Sequence, residues 1–195
     1  EAGEAVIHLD LDAIDRRYGL ARVPEDREAI RVPLPMPSSG SRAEFEQTLV
    51  EDFSKHPWAN LPVTVEMTVV DAMDQTGAGA PYDMRLAARR FFDPLAAALI
   101  EMRRDLLWNR DNAERTTQVM RALMWLPDDF FRDNSTYLQL RVLRNRIETQ
   151  SRDAALTDAQ VNEHAETLWQ IAVELEDGDL DDARERMAQA QERLN

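Results

Sequence analysis

The 195-residue sequence contains no cysteine. That excludes a disulfide framework, a thiolate metal site and a cysteine nucleophile, but it leaves the compartment open, because a chain without thiols suits either redox environment. No apolar run approaches the roughly 20 residues that span a bilayer, and no signal-peptide pattern is present. Nucleophile-elbow, P-loop and dinucleotide-binding glycine patterns are missing, and no serine stands in a triad context. The three histidines, His8, His56 and His164, fall in different elements without metal-ligand spacing. His164 is expected on an exposed helix face, and His56 is expected to bond its own turn ahead of Pro57. Positive charge is also short. Twenty-three Lys and Arg stand against 37 Asp and Glu, for a formal net charge of -14. Such a surface repels nucleic-acid phosphates and anionic headgroups, and favours basic partners or cations.

What is present is a folded-protein composition, 44% hydrophobic, with a change of pattern near residue 90. Before it, short alternating segments are broken by Pro and Gly. Val6–Asp12 alternates as a half-buried strand, with Ile7, Leu9 and Leu11 on one side. Tyr18–Val23 reads as a second strand. Ala29–Met36 reads as a third, confined to an edge by Pro33, Pro35 and Pro37, which cannot donate to a ladder. Phe45–Phe53 favours strand over helix. Leu61–Asp71 is the clearest strand, rich in β-branched residues, and Tyr82–Leu86 is the last. Short strands with turn signals at intervals of about 10 residues suggest a small or incomplete antiparallel sandwich over residues 1–90.

Residues 91–195 read as about five helices packed as a bundle or as hairpins. Asp93 is placed to cap a helix running to Trp108. Pro94 fits its first position, and Leu95, Leu99, Met102 and Leu106 form one stripe. Asp111–Trp125 puts Val119, Leu123 and Leu126 near one face, with Met120 and Met124 adjoining. Ser135–Thr149 carries Tyr137, Leu140, Leu143 and Ile147. Thr157-x-x-Gln160 is a capping box opening a helix with Val161, Ala165, Leu168, Ala172 and Leu175 at near-heptad spacing. Gly178 is expected to stop that helix before another begins. The first residues, Glu1-Ala2-Gly3-Glu4, and a last helix without a stop signal suggest a fragment of a longer protein.

Chemistry is thinly signalled. Asp10 and Asp12, with Asp15, cluster at a strand end, and Asp71 and Asp74 share a turn. Grouped carboxylates can hold calcium, which wants six or more oxygens, or perform acid–base work; the plainer alternative is solvated turn residues. Trp108 and Trp125 stand at helix ends where an exposed aromatic beside arginine would make a binding hot spot. Arg141 and Arg144 lie in the most basic stretch of the acidic chain. Glu176 and Asp177 belong to an acidic run, Glu174–Asp182, readable as helix-terminus charge or as a docking patch for a basic partner. No cofactor is expected.

Three runs, HPWANLPVTVEMTVVDAMDQTG, RRFFDPLAAALIEMRRDLLWNRDNA and LWQIAVELEDGDLDDARERMAQAQERL, resemble the alphaproteobacterial family known as domain of unknown function 4175. The resemblance extends from Tyr18-Gly19 to the last helix. It implies a long protein anchored by N-terminal transmembrane helices, with an immunoglobulin-like segment and a helical segment in the periplasm, then a Gln-, Gly- and Met-rich tail. It supplies no activity and no catalytic residue to map. Where the family has a consecutive acidic pair before the aromatic-Gly, this chain has Asp15-Arg16-Arg17, which argues against a cation site in that turn. The expectation is therefore a segregated α+β fold, a β-sandwich followed by helices. Its role would be a non-catalytic periplasmic scaffold that binds protein partners or itself through the helices and contacts no nucleic acid. The alternatives are a carboxylate-dependent hydrolase using Asp10, Asp12 or Asp71, and a calcium-stabilised binding module.

Overall fold

The computed structural model describes residues 2–37, 45–125 and 134–194, with side chains throughout except at 179–190 and 192–194. Five strands come first: β1 (Ala2–Leu9), β2 (Ile30–Pro33), β3 (Pro62–Val70), β4 (Thr76–Ala78) and β5 (Tyr82–Arg85). Four helices follow among the described residues: α1 (Pro94–Trp108), α2 (Ala113–Leu123), α3 (Asn134–Gln150) and α4 (Asp158–Leu194). The layout is segregated α+β, as the sequence pattern implies. The chain divides into two compact units, Glu1–Asp15 with Asp26–Arg89, and Arg16–Glu25 with Arg90–Asn195.

In the first unit the described strands form one antiparallel sheet in the order β2-β1-β3-β4, and β5 also pairs with β3. Ile7 pairs with Val65 on one side and with Ile30 on the other. β4 and β5 take opposite ends of β3, at Val69↔Gly77 and Val63↔Met84. β2 is an edge strand, where its one proline, Pro33, costs no ladder bond. Alternation does the sorting: Ala5 and Ile7 of β1 and Val63 of β3 are buried with Val32, Trp58 and Leu86. His56 builds the turn before β3. Its Nδ1 accepts the Trp58 N–H at 3.1 Å, and the two rings meet edge-on at 5.1 Å.

Two stretches depart from the sequence pattern in this part of the chain. Residues 45–53 form no strand. Phe53 packs on the sheet core, but Leu49 and Val50 are exposed, so a β-favouring composition has no face to bury. Tyr18–Val23 is also not a strand. Tyr18–Ala21 makes a 3-10 turn, closed by Leu20 N–H donating to Arg17 O at 3.0 Å, and it belongs to the helical unit.

In the helical unit Asp93 caps α1, accepting the Ala96 N–H at 2.6 Å, with Pro94 at the start of the helix. Leu95, Leu99, Met102 and Leu106 are all buried, as their spacing requires. α4 runs antiparallel to α1. Near one end Arg110 reaches Asp158, at the middle Arg103 donates to the Ala165 carbonyl, and at the other end Glu176 reaches Phe92. The Thr157–Gln160 capping box forms, with Thr157 N–H to Gln160 Oε1 at 2.9 Å and Gln160 N–H to Thr157 Oγ1 at 3.3 Å. Leu99, Leu106, Met120, Leu140, Ile147, Leu168 and Ile171 join the four helices in one core. Each such side chain contributes about 1.5–3 kcal/mol by burial.

α2 buries the Met120 and Met124 side of its expected face rather than the Val119–Leu123 line. Ala113, Thr116, Thr117 and Met120 point inward, Val119 and Leu123 are half-buried, and Leu126 lies outside the described residues. A buried threonine can satisfy its own hydroxyl, as Thr117 does on Glu114 O at 2.9 Å, so apolar periodicity misreads the face. Gly178 does not stop its helix. α4 continues through it to Leu194, because one glycine weakens a helix without removing its hydrogen bonds.

Candidate functional site

A dense polar network clasps residues 16–25 onto the corner between α1 and α2. Trp108 Nε1–H donates to Arg22 O at 2.8 Å, Glu25 N–H returns to Trp108 O at 2.7 Å, and Asn109 Nδ2 donates to Val23 O at 2.9 Å. Asn112 Nδ2 bridges Gly19 O and Asp105 O at 2.8 and 2.7 Å. Gly19 is required for space: the buried carboxylate of Asp105 occupies the position a Cβ would take. Tyr18 beside it holds φ at 54°, a region bulky residues rarely adopt, with the Arg115 guanidinium 5.5 Å from its ring centroid.

Two charged groups lock this corner. Burial pushes the Asp105 carboxyl up, while Arg104 and Arg115, at 3.9 and 3.4 Å, pull it partly back. Arg110 grips Glu25 through Nε and Nη2 at 2.8 and 3.0 Å, and two further hydrogens go to Leu156 O at 2.8 Å and Asp158 Oδ1 at 2.6 Å. These bonds raise its pKa, so it stays protonated. The donors named here all end on oxygens of the same unit. The arrangement is a joint.

A second feature opens outward. Between α3 and α4 lies a groove of about 510 Å³, lined by Leu138, Val142, Leu143, Arg146 and Thr167 among others. Leu138 and Val142 are 45% and 63% exposed. Arg146 pairs with Glu163 at 2.7 Å across the groove's helices. At the end of α2, Trp125 is 80% exposed beside Gln118 and Arg121.

The structure corrects two residues expected to meet partners. Trp108 is 3% exposed and committed to Arg22, with the Arg16 guanidinium 5.6 Å from its ring. Glu176 is 4% exposed and turned inward, one oxygen accepting the N–H groups of Phe92 and Asp93 at 2.8 and 2.9 Å. Its neighbour Asp177 is exposed, as are Trp125 and Arg141, whereas Arg144 is half-buried against Asn145 and Glu148. His164 is a third correction: it is fully buried, with Nε2 on Gln150 Oε1 at 2.7 Å and Nδ1 without a hydrogen-bond partner among the described residues.

The acidic turns are organised by their own backbone. Asp10 Oδ1 accepts from Asp12 N and Ala13 N, and Asp71 Oδ1 accepts from Met73 N and Gln75 N. Asp74 takes φ 57° in the latter turn. Among the described residues no three His, Asp or Glu side chains come together to hold a metal ion.

Asp105, Arg110, Leu138 and Val142 lie outside the positions that the sequence pattern singles out. The last two had a signal, an i,i+4 apolar pair off the main stripe of α3. Arg110 had none, since its partner Glu25 lies 85 residues away.

Fold and site together define a segregated α+β segment whose described polar clusters are structural joints and whose open features include an apolar groove on helices. The chain belongs to the family described as Domain of unknown function (DUF4175), whose model matches residues 1–195. Neither a curated protein nor a solved structure matches it. No helix among the described residues is long and apolar enough to cross a membrane.

Proposed function

We propose that this chain is a non-catalytic, protein-binding scaffold segment of a larger cell-envelope protein, periplasmic, with its parent anchored in the inner membrane. The observation that carries the binding role is the exposed apolar groove of α3 and α4, with Leu138 and Val142 open on a strongly acidic protein. The compartment and the anchor rest on the family resemblance. The clasp supports a scaffold role, since it fixes residues 16–25 against the α1–α2 corner, and those helices share one core with the two that present the groove.

Crosslinking from envelope membranes with the intact parent, followed by mass spectrometry, tests this. Proteins enriched over a parent lacking residues 91–195 are expected. No enrichment over that control would end the reading.

A further inference from the structure

We infer that the groove between α3 and α4 receives an acidic amphipathic helix of a partner protein. This names the partner chemistry for the binding role proposed above and rests on it. The surface is a short apolar line. Leu138 and Val142 stand four residues apart on the solvent side of α3, above Leu143, and Thr167 of α4 forms the far wall. Such an i,i+4 pair beside a neighbouring helix is the host side of helix-in-groove recognition, which takes one apolar stripe of a guest helix.

Charge selects the guest. α3 carries Arg141, Arg144 and Arg146 against the single acid Glu148, on a chain whose net charge is -14. At about 100° per residue, Arg141 and Arg146 fall on opposite sides of the Leu138–Val142 line. Arg144 is occupied by Glu148, and Arg146 by Glu163. Arg141 is exposed and makes no ion pair or hydrogen bond among the described residues. A carboxylate on the guest would complete Arg141 on one rim and share Arg146 on the other. The same charges disfavour a second copy. A two-fold contact through this line sets the Arg141 side against either the Arg141 side of the other copy, when the helices run antiparallel, or its Arg146 side, when they run parallel, and both pairings place like charges together. An acidic guest turns that repulsion into attraction.

The test uses the purified chain and two fluorescent helical peptides of roughly 18 residues, long enough to hold a helix. One has Leu at i, i+3, i+4 and i+7 with Glu between; the other has each Glu replaced by Lys. The acidic peptide is expected to bind at least about ten-fold more tightly at low salt, with the preference shrinking as salt rises. Val142→Asp is expected to weaken it by a similar factor, and Arg141→Glu to reverse the preference. Both sites are exposed, and unchanged circular dichroism confirms that the variants fold. Equal binding of the two peptides, no saturable binding of either, or a concentration-dependent dimer abolished by Val142→Asp would each overturn the inference. Partners that crosslink in the envelope but only away from α3 would overturn it while leaving the scaffold reading intact. Peptide binding without any envelope partner would do the reverse.

Discussion

Glu176, near the middle of α4, closes the start of α1 by accepting the Phe92 N–H at 2.8 Å, and the same oxygen takes the Asp93 N–H at 2.9 Å. A carboxylate from one helix thus does for another what a capping-box glutamate does for its own. It sits at the positive end of α1, where negative charge is favourable. Glu176→Ala leaves two part-buried N–H groups without this acceptor and is expected to cost roughly 1–2 kcal/mol. Urea unfolding followed by circular dichroism reads this, and Glu176→Gln, which keeps an acceptor, should recover part of it. A neutral Ala variant would mean that water replaces the cap.

Gly19 and Asp105 compete for one space. A methyl group at position 19 meets the buried carboxylate, so either the clasp or Asp105 must move. Gly19→Ala is expected to destabilise by roughly 1–3 kcal/mol, as overpacking does. Combined with Asp105→Ala it should cost less than the sum of the two single changes, because the second makes room for the first. Additive losses would contradict a direct clash.

Burial holds the His164 ring below the ordinary histidine value of about 6.5; Arg146 lowers it further, and Glu163 opposes them. Above that ordinary value the ring is neutral in both folded and unfolded chains and adds no pH dependence. As pH falls through it, the unfolded chain binds a proton that the fold resists, and stability drops until the lower folded value is passed. Arg146 and Glu163 face the ring from α3 and α4, and α1 contributes Arg103 on the neighbouring Ala165 carbonyl. The wild-type melting temperature should therefore fall more between neutral and mildly acidic pH than that of His164→Gln. Parallel curves would remove His164 as the cause.

Gly178 offers a test of opposite sign. It lies inside α4 with nothing within 4 Å of where a Cβ would be. Gly178→Ala should stabilise the protein by about 0.5–1 kcal/mol through the lower backbone entropy of alanine. If the helix ended there, as glycine in the sequence suggests, alanine would destabilise instead.

These residues mark what periodicity could and could not reveal. Asp93, Pro94 and the Leu95–Leu106 stripe were legible because a cap, a first-turn proline and 3.6-residue spacing are local signals. The edge position of β2 was legible from Pro33 and the prolines that follow it. Tyr18–Val23 was not, because its turn is imposed by Asp105, Trp108 and Asn112 from more than 80 residues away. His164 looked exposed because a polar residue that finds one internal hydrogen bond can sit in a core, and the Gln150 that accepts it is on another helix. Glu176 looked like a surface acid for the same reason: its acceptor role depends on Phe92, on an element the local sequence does not mention. The groove followed from Leu138 and Val142 lying off the stripe that packs α3, a second line that reads as noise until α4 is beside it.

The binding role of the groove depends on the α3 surface meeting a partner. A photo-crosslinking residue placed at Val142 in the intact parent, and a control at exposed Arg152 in the loop before α4, measures that in envelope membranes. Discrete adducts specific to position 142, lost with Leu138→Asp, are the expected result. No adduct at 142, or the same adducts from both positions, would contradict it.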